Sequence, residues 1–174
     1  MARPHEEHRS KAPKTLKFTL YTISTSRYNA KISGKEYSDE TMDVAVKLIR
    51  EKKHEIIERD IIDDDKEMIK QTLLRAVQRD VDVIVLMGGT GLSSRDVTVE
   101  AVRPLLDKEV EGFGEIFRFE SYREIGAAAA LTRATAGIIS RRVVLCLPGS
   151  PKAVELALKI FLDELPHLVY LARQ

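Results

Sequence analysis

The aliphatic run Val81–Leu86, broken only by Asp82, shows no regular exchange of apolar and polar positions. A strand of that kind is buried on both faces, which is the mark of a parallel sheet. Parallel strands need long crossover connections, usually helices, so this one run restricts the chain to an α/β architecture. Directly after it comes MGGTGLSSRDVT, Met87–Thr98, with three glycines, the hydroxyls of Thr90, Ser93 and Ser94 within the loop, and an Arg95-Asp96 pair. In open α/β sheets, ligands bind outside the carboxyl ends of the strands. The loop therefore stands where a binding site is expected.

The rest of the chain supplies the alternation such a sheet requires. Leu16, Phe18 and Leu20 alternate with Lys17 and Thr19 and predict a first strand running to Ile23. Polar residues 24–37 read as a loop. Ser38-Asp39-Glu40 then caps a helix bearing Val44, Ala45, Leu48 and Ile49. A second strand is expected between Ile56 and Ile62. After Asp63-Asp64-Asp65, a helix carries Met68, Ile69, Leu73 and Val77 on one face. Another helix should start near Thr98 and kink or stop at Pro104. Residues 112–133 read as mostly helical. Two strands, 136–140 and 143–147, are joined by a tight turn at Arg141-Arg142. A last helix carries Val154, Leu158, Phe161 and Leu162, with Pro166 near its end. The expected fold is an open, mostly parallel sheet with helices on both faces.

Gly88, Gly89 and Gly91 give the backbone access to positive φ and close approach to a ligand. Their amides, with the hydroxyls of Thr90, Ser93 and Ser94, form a cradle suited to phosphate, and the helix start beyond adds a favourable dipole. Two familiar phosphate motifs are excluded. No lysine follows the glycines as a P-loop requires, and a dinucleotide fingerprint read from Gly89 places Ser94 where glycine or alanine belongs. Pro148-Gly149-Ser150-Pro151 closes the last strand, so Pro148, Gly149 and Ser150 join the candidate rim.

Asp64 and Asp96 each stand between a strand end and a helix start. Two carboxylates beside a phosphate repel it unless a divalent cation intervenes, and Mg²⁺ accepts one or two carboxylates plus phosphate oxygens. The plainer alternative is that Asp63, Asp64 and Asp65 cap a helix and Asp96 pairs with Arg95 or caps the helix that follows. Of four histidines, His5 and His8 lie in the N-terminal stretch, and His54 and His167 have no ligand spacing.

Composition narrows the function classes. At 174 residues the length suits one domain with a substantial core, here expected over 15–174 behind a loosely ordered tail, 1–14. A net charge of +1 gives no field for nucleic acid. The single cysteine, Cys146, lies in an apolar run and reads as a buried hydrophobe. No segment approaches the ~20 apolar residues of a membrane helix. The charged MARPHEEHRSKAPK start lacks the apolar core of a secretory signal, so a cytoplasmic location is expected.

GGTGLSSRDVT (Gly88–Thr98), GFGE (Gly112–Glu115) and LPGSP (Leu147–Pro151), in that order, resemble the MoaB/MogA family of molybdenum cofactor biosynthesis proteins. The resemblance runs from about Leu16 to the C-terminus. Thr25-Ser26-Arg27-Tyr28 and the single-domain length look more like the MoaB branch. It implies a molybdopterin-binding α/β domain that assembles as a homotrimer or homohexamer. It also implies transfer of AMP from ATP, with Mg²⁺, to the terminal phosphate of molybdopterin. A downstream enzyme then inserts molybdate or tungstate. By motif, the family's two essential aspartates fall on Asp64 and Asp96. Phosphate and pterin contacts fall on Gly88, Gly89, Thr90, Gly91, Ser93, Ser94, Pro148, Gly149 and Ser150, with Ser24, Arg27 and Glu115 as outlying candidates. The alternative is a protein of the same pathway that binds or scaffolds molybdopterin without catalysis.

Overall fold

The structure, a computed structural model, describes residues 9–174. His5, His8 and the start of the expected tail lie outside them. Arg9, at the first described position, is bonded to Glu164 at 2.6 Å.

Six strands form one sheet in the order β2-β1-β3-β6-β5-β4. They are β1 (Lys17–Ile23), β2 (Glu55–Ile62), β3 (Val83–Met87), β4 (Lys108–Glu109), β5 (Thr135–Ile139) and β6 (Arg142–Leu147). β2, β1, β3 and β6 run parallel, while β5 and β4 continue the sheet antiparallel. The expected fold is thus the observed one, with β4 as an added two-residue edge.

Alternate side chains of the central strands feed two cores. Phe18, Leu20, Val83, Val85, Val143 and Leu145 point to one face. There they meet α2 (Glu40–Glu51), α5 (Glu111–Ile125), α6 (Pro151–Phe161) and α7 (Leu165–Ala172). Tyr21, Ile84, Leu86, Val144 and Cys146 point to the other, under α3 (Lys66–Val77) and α4 (Thr98–Val102). All five residues of β3 are buried, as an unalternated run requires. Cys146 is buried, and desolvation pushes its thiol up to about 12, so it is a packing residue.

Three expectations need correction. Residues 24–37 are not all loop, because α1 (Thr25–Ile32) forms there, capped by Ser24. Pro166 does not close the last helix but stands in the first turn of α7, where its missing N–H is not needed. The turn joining β5 to β6 sits one residue earlier than read, at Ser140-Arg141, both at positive φ. Pro104 does end α4, in the 3-10 turn Arg103–Leu105.

Candidate active site

The chain leaves β1 for β2 on one side, then returns past β1 to β3 on the other. This reversal opens a crevice between the carboxyl ends of β1 and β3, the usual place for a ligand in such sheets. Two bonds extend the sheet into the crevice floor. Ser24 N–H donates to Ile62 O at 3.0 Å, and Gly88 N–H donates to Leu147 O at 2.9 Å.

The glycines of the loop answer to different needs. Gly88 has φ 126°, and a Cβ there would lie 2.3 Å from Ile23 O. Gly89 has φ 63°, and its Cβ would meet Thr98 Oγ1 at 2.3 Å. That hydroxyl donates to Gly88 O at 2.8 Å, so Thr98 locks the turn from below. Gly91 does not adopt positive φ, contrary to expectation, and is bare because Asp96 packs on it. Gly149 lies against Gly88, its absent Cβ 3.2 Å from the Gly88 Cα.

Both aspartates lean on this loop. Asp64 Oδ1 lies 2.9 Å from the Cβ position of Gly89, and Asp96 Oδ2 lies 2.9 Å from that of Gly91. The neighbours of Asp64 take other tasks. Asp65 caps α3 by accepting from Met68 N–H at 2.7 Å, and Asp63 N–H faces Met68 Sδ. The helix-cap alternative therefore applies to Asp65, and the acid facing the crevice is Asp64. Burial pushes the Asp64 carboxyl above its ordinary range. The Thr25 amide opposes this, while the charges of Asp96 and Asp63 add to it and Arg95 reduces it. Asp64 Oδ1 is buried without a hydrogen-bond partner. Asp96 accepts from Ser93 N–H through Oδ2 at 2.9 Å.

Two hollows meet at Asp96. The first, about 320 Å³, is walled by Ser24, Thr25 and Ser26 at the start of α1, by Asp64, and by Ser93, Arg95 and Asp96. Its lining includes one arginine and two acids. The second, about 450 Å³, has Gly88–Gly91 and Pro148-Gly149 as its base. Ile23, Ala128 and Leu131 give that second hollow an apolar side.

The other expected residues divide between the loop itself and positions further out. Thr90 is buried in the loop, and Ser94 is exposed but lines neither hollow. Ser150 caps α6 by accepting from Ala153 N–H, which is a structural role in the turn. Arg27 donates from Nε to Ser38 O at 2.9 Å. Glu115 is exposed on α5 and lines neither hollow. Four residues were missed. Thr25 and Ser26 wall the first hollow, Thr98 holds the turn, and Arg133 bonds Gly91 O at 2.8 Å and Asp96 O at 3.0 Å.

Among the described residues no three His, Cys, Asp or Glu side chains gather to hold a metal ion by themselves. Two acids, one with a buried unpartnered oxygen, suit a divalent cation that arrives with phosphate oxygens to complete its shell. The donor set fits Mg²⁺ on those terms.

A sheet whose switch-point crevice sets a glycine loop against two carboxylates defines an α/β protein with a candidate ligand site at that crevice. Residues 19–167 match the family model described as a probable molybdopterin binding domain, and the chain belongs to that family. Molybdenum cofactor biosynthesis protein B of Bacillus cereus is 44% identical over 94% of this chain and 95% of its own. Molybdopterin adenylyltransferase of Pyrococcus furiosus is 42% identical over 97% and 98%. The crystal structure of the tungsten cofactor synthesizing protein MoaB from Pyrococcus furiosus superposes with a TM-score of 0.82 at 40% identity, covering 94% of this chain and 100% of that one.

Proposed function

We propose that this chain is a molybdopterin adenylyltransferase of molybdenum or tungsten cofactor biosynthesis. The observation that carries this reading is the convergence of Asp64 and Asp96 on one glycine loop, between a polar and a partly apolar hollow. The polar hollow suits the triphosphate of ATP, with Arg95 and the hydroxyls of Ser24, Thr25 and Ser26 as donors. The second hollow suits molybdopterin, its ring against Ile23 and Leu131 and its phosphate over the amides of Gly88–Gly91.

A terminal phosphate oxygen of molybdopterin attacks the α-phosphorus of ATP. The bond from that phosphorus to the β-phosphate bridging oxygen breaks, and pyrophosphate leaves. The nucleophile is already an anion, so the protein needs no general base. Its task is to align two polyanions and offset their repulsion. Asp64 and Asp96 would hold Mg²⁺, which when bound would supply charge neutralisation at the phosphate oxygens. Arg95 adds a fixed positive charge, and the glycine amides orient the attacking phosphate.

The protein incubated with molybdopterin, ATP and MgCl₂ should yield adenylylated pterin and one equivalent of pyrophosphate, read by mass spectrometry and by a phosphate assay coupled to inorganic pyrophosphatase. Pterin binding that ignores ATP and Mg²⁺, with no product, overturns catalysis in favour of a scaffold. The same reading places the protein in the cytoplasm as a homotrimer or homohexamer that passes its product to a metal-insertion enzyme. Among the described residues no helix is long and apolar enough to cross a membrane. Sedimentation at micromolar concentration tests the assembly, and a monomer there would refute it.

A further inference from the structure

We infer that Arg133 is a positioning residue for AMP transfer, holding the main chain that carries Asp96 through contacts no other side chain of the loop duplicates. The inference rests on the reading of Asp96 as a functional carboxylate.

Arg133 stands 42 residues beyond Gly91 in sequence, just after the 3-10 segment Gly126–Leu131. Its own N–H donates to Thr90 O at 3.0 Å. Nε donates to Gly91 O at 2.8 Å, and Nη2 donates to Asp96 O at 3.0 Å. Both ends of the exposed segment Leu92–Arg95 are thereby tied to one guanidinium. Glu100, on α4, accepts from Nη1 and, at 3.2 Å, from Nη2, which holds the fork in plane. Arginine presents five donors in fixed geometry, and lysine cannot span two carbonyls and a carboxylate at once.

The remaining bonds of the segment are local. Asp96 N–H donates to Ser93 O at 2.9 Å, Ser93 N–H donates to Asp96 Oδ2 at 2.9 Å, and Arg95 N–H donates to Ser93 Oγ at 3.3 Å. One of these uses the very carboxylate that must face a cation and substrate. When Asp96 turns to its ligands, that bond weakens. The bonds from Arg133 to this segment go only to main-chain carbonyls and are untouched by the exchange. Arg133 thus keeps Asp96 opposite Asp64 through the reaction, while the floor at Gly88 and Gly149 is held separately by the sheet.

Arg133→Gln, Arg133→Lys and Glu100→Gln test this against the wild type in two measurements. Positioning predicts a fall in kcat of about 10- to 100-fold for both Arg133 variants, smaller for Glu100→Gln, with KM for molybdopterin changed less than about threefold. It also predicts faster deuterium uptake in the peptide spanning 91–96 while the rest of the sheet exchanges as before. A purely structural role would instead lower Tm and the folded yield, leaving kcat per folded molecule intact, and that result overturns the inference. So does wild-type uptake at 91–96 in Arg133→Gln. Should Arg133→Gln fail to fold, Arg133→Lys and Glu100→Gln carry the same two readouts. Should the wild type transfer no AMP, the functional reading fails, and a catalytic role for Arg133 fails with it even if the uptake result shows that the loop is clamped.

Discussion

Single residues at the crevice divide into those that serve the fold and those that strain it. Asp64 carries a carboxyl that burial and the Asp96 charge drive upward, with one oxygen lacking a partner. A group selected for stability would not be left so. Asp64→Asn should therefore reduce AMP transfer by about 10²- to 10³-fold, the scale of losing a main electrostatic contact. Its Tm should equal or exceed that of the wild type, because a repelling buried charge is gone. A variant that loses Tm in proportion to activity would contradict this. Gly88→Ala should do the opposite, costing about 1–3 kcal/mol in urea unfolding, since φ 126° and a contact of 2.3 Å with Ile23 O leave no room for a methyl group. The three glycines after an apolar strand were legible in local sequence, whereas Asp64 and Asp96 alone read equally as caps or ion-pair partners and were singled out by the motif resemblance. Arg133 was not, because nothing near it in the chain announces a contact with Gly91.

At the level of elements, periodicity reveals those that bury a face and hides those that do not. α2 and α3 show apolar residues at helical spacing and were expected. α1 buries no residue, so its sequence has no apolar stripe to tell it from a polar loop. β4 is two exposed residues paired to β5, too short for any pattern. The β5–β6 hairpin shows how a correct element can carry poor local chemistry. Ser140 and Arg141 sit at φ 47° and 65°, the signature of a type I′ turn, which favours Asn-Gly. Both are exposed, and the Ser140 N–H bond to Asp107 at 2.7 Å does not depend on the side chain. Ser140→Asn with Arg141→Gly should raise stability by about 0.5–1 kcal/mol, read as a higher urea midpoint at unchanged slope. A lower midpoint would show that the turn is not of this type.

Taken whole, the molecule ties its edges to its centre with buried polar groups. His54 is buried beside Phe18 and accepts from Leu16 N–H through Nδ1 at 3.2 Å, a bond only the neutral ring can make. Burial holds its pKa below the ordinary 6.5. The stability this contributes is complete above pH 6.5 and is lost as pH falls through the depressed folded value. Urea midpoints should decline between pH 7 and pH 5 more steeply for the wild type than for His54→Gln, and parallel curves would refute the assignment. The bonds Ser24 N–H to Ile62 O and Gly88 N–H to Leu147 O make the crevice floor the last rungs of the ladder itself. Such a floor has no melting transition of its own. Warming should bring thermal inactivation and loss of circular dichroism along one curve, so the protein passes from competent to unfolded without a loosened, folded, inactive form between them.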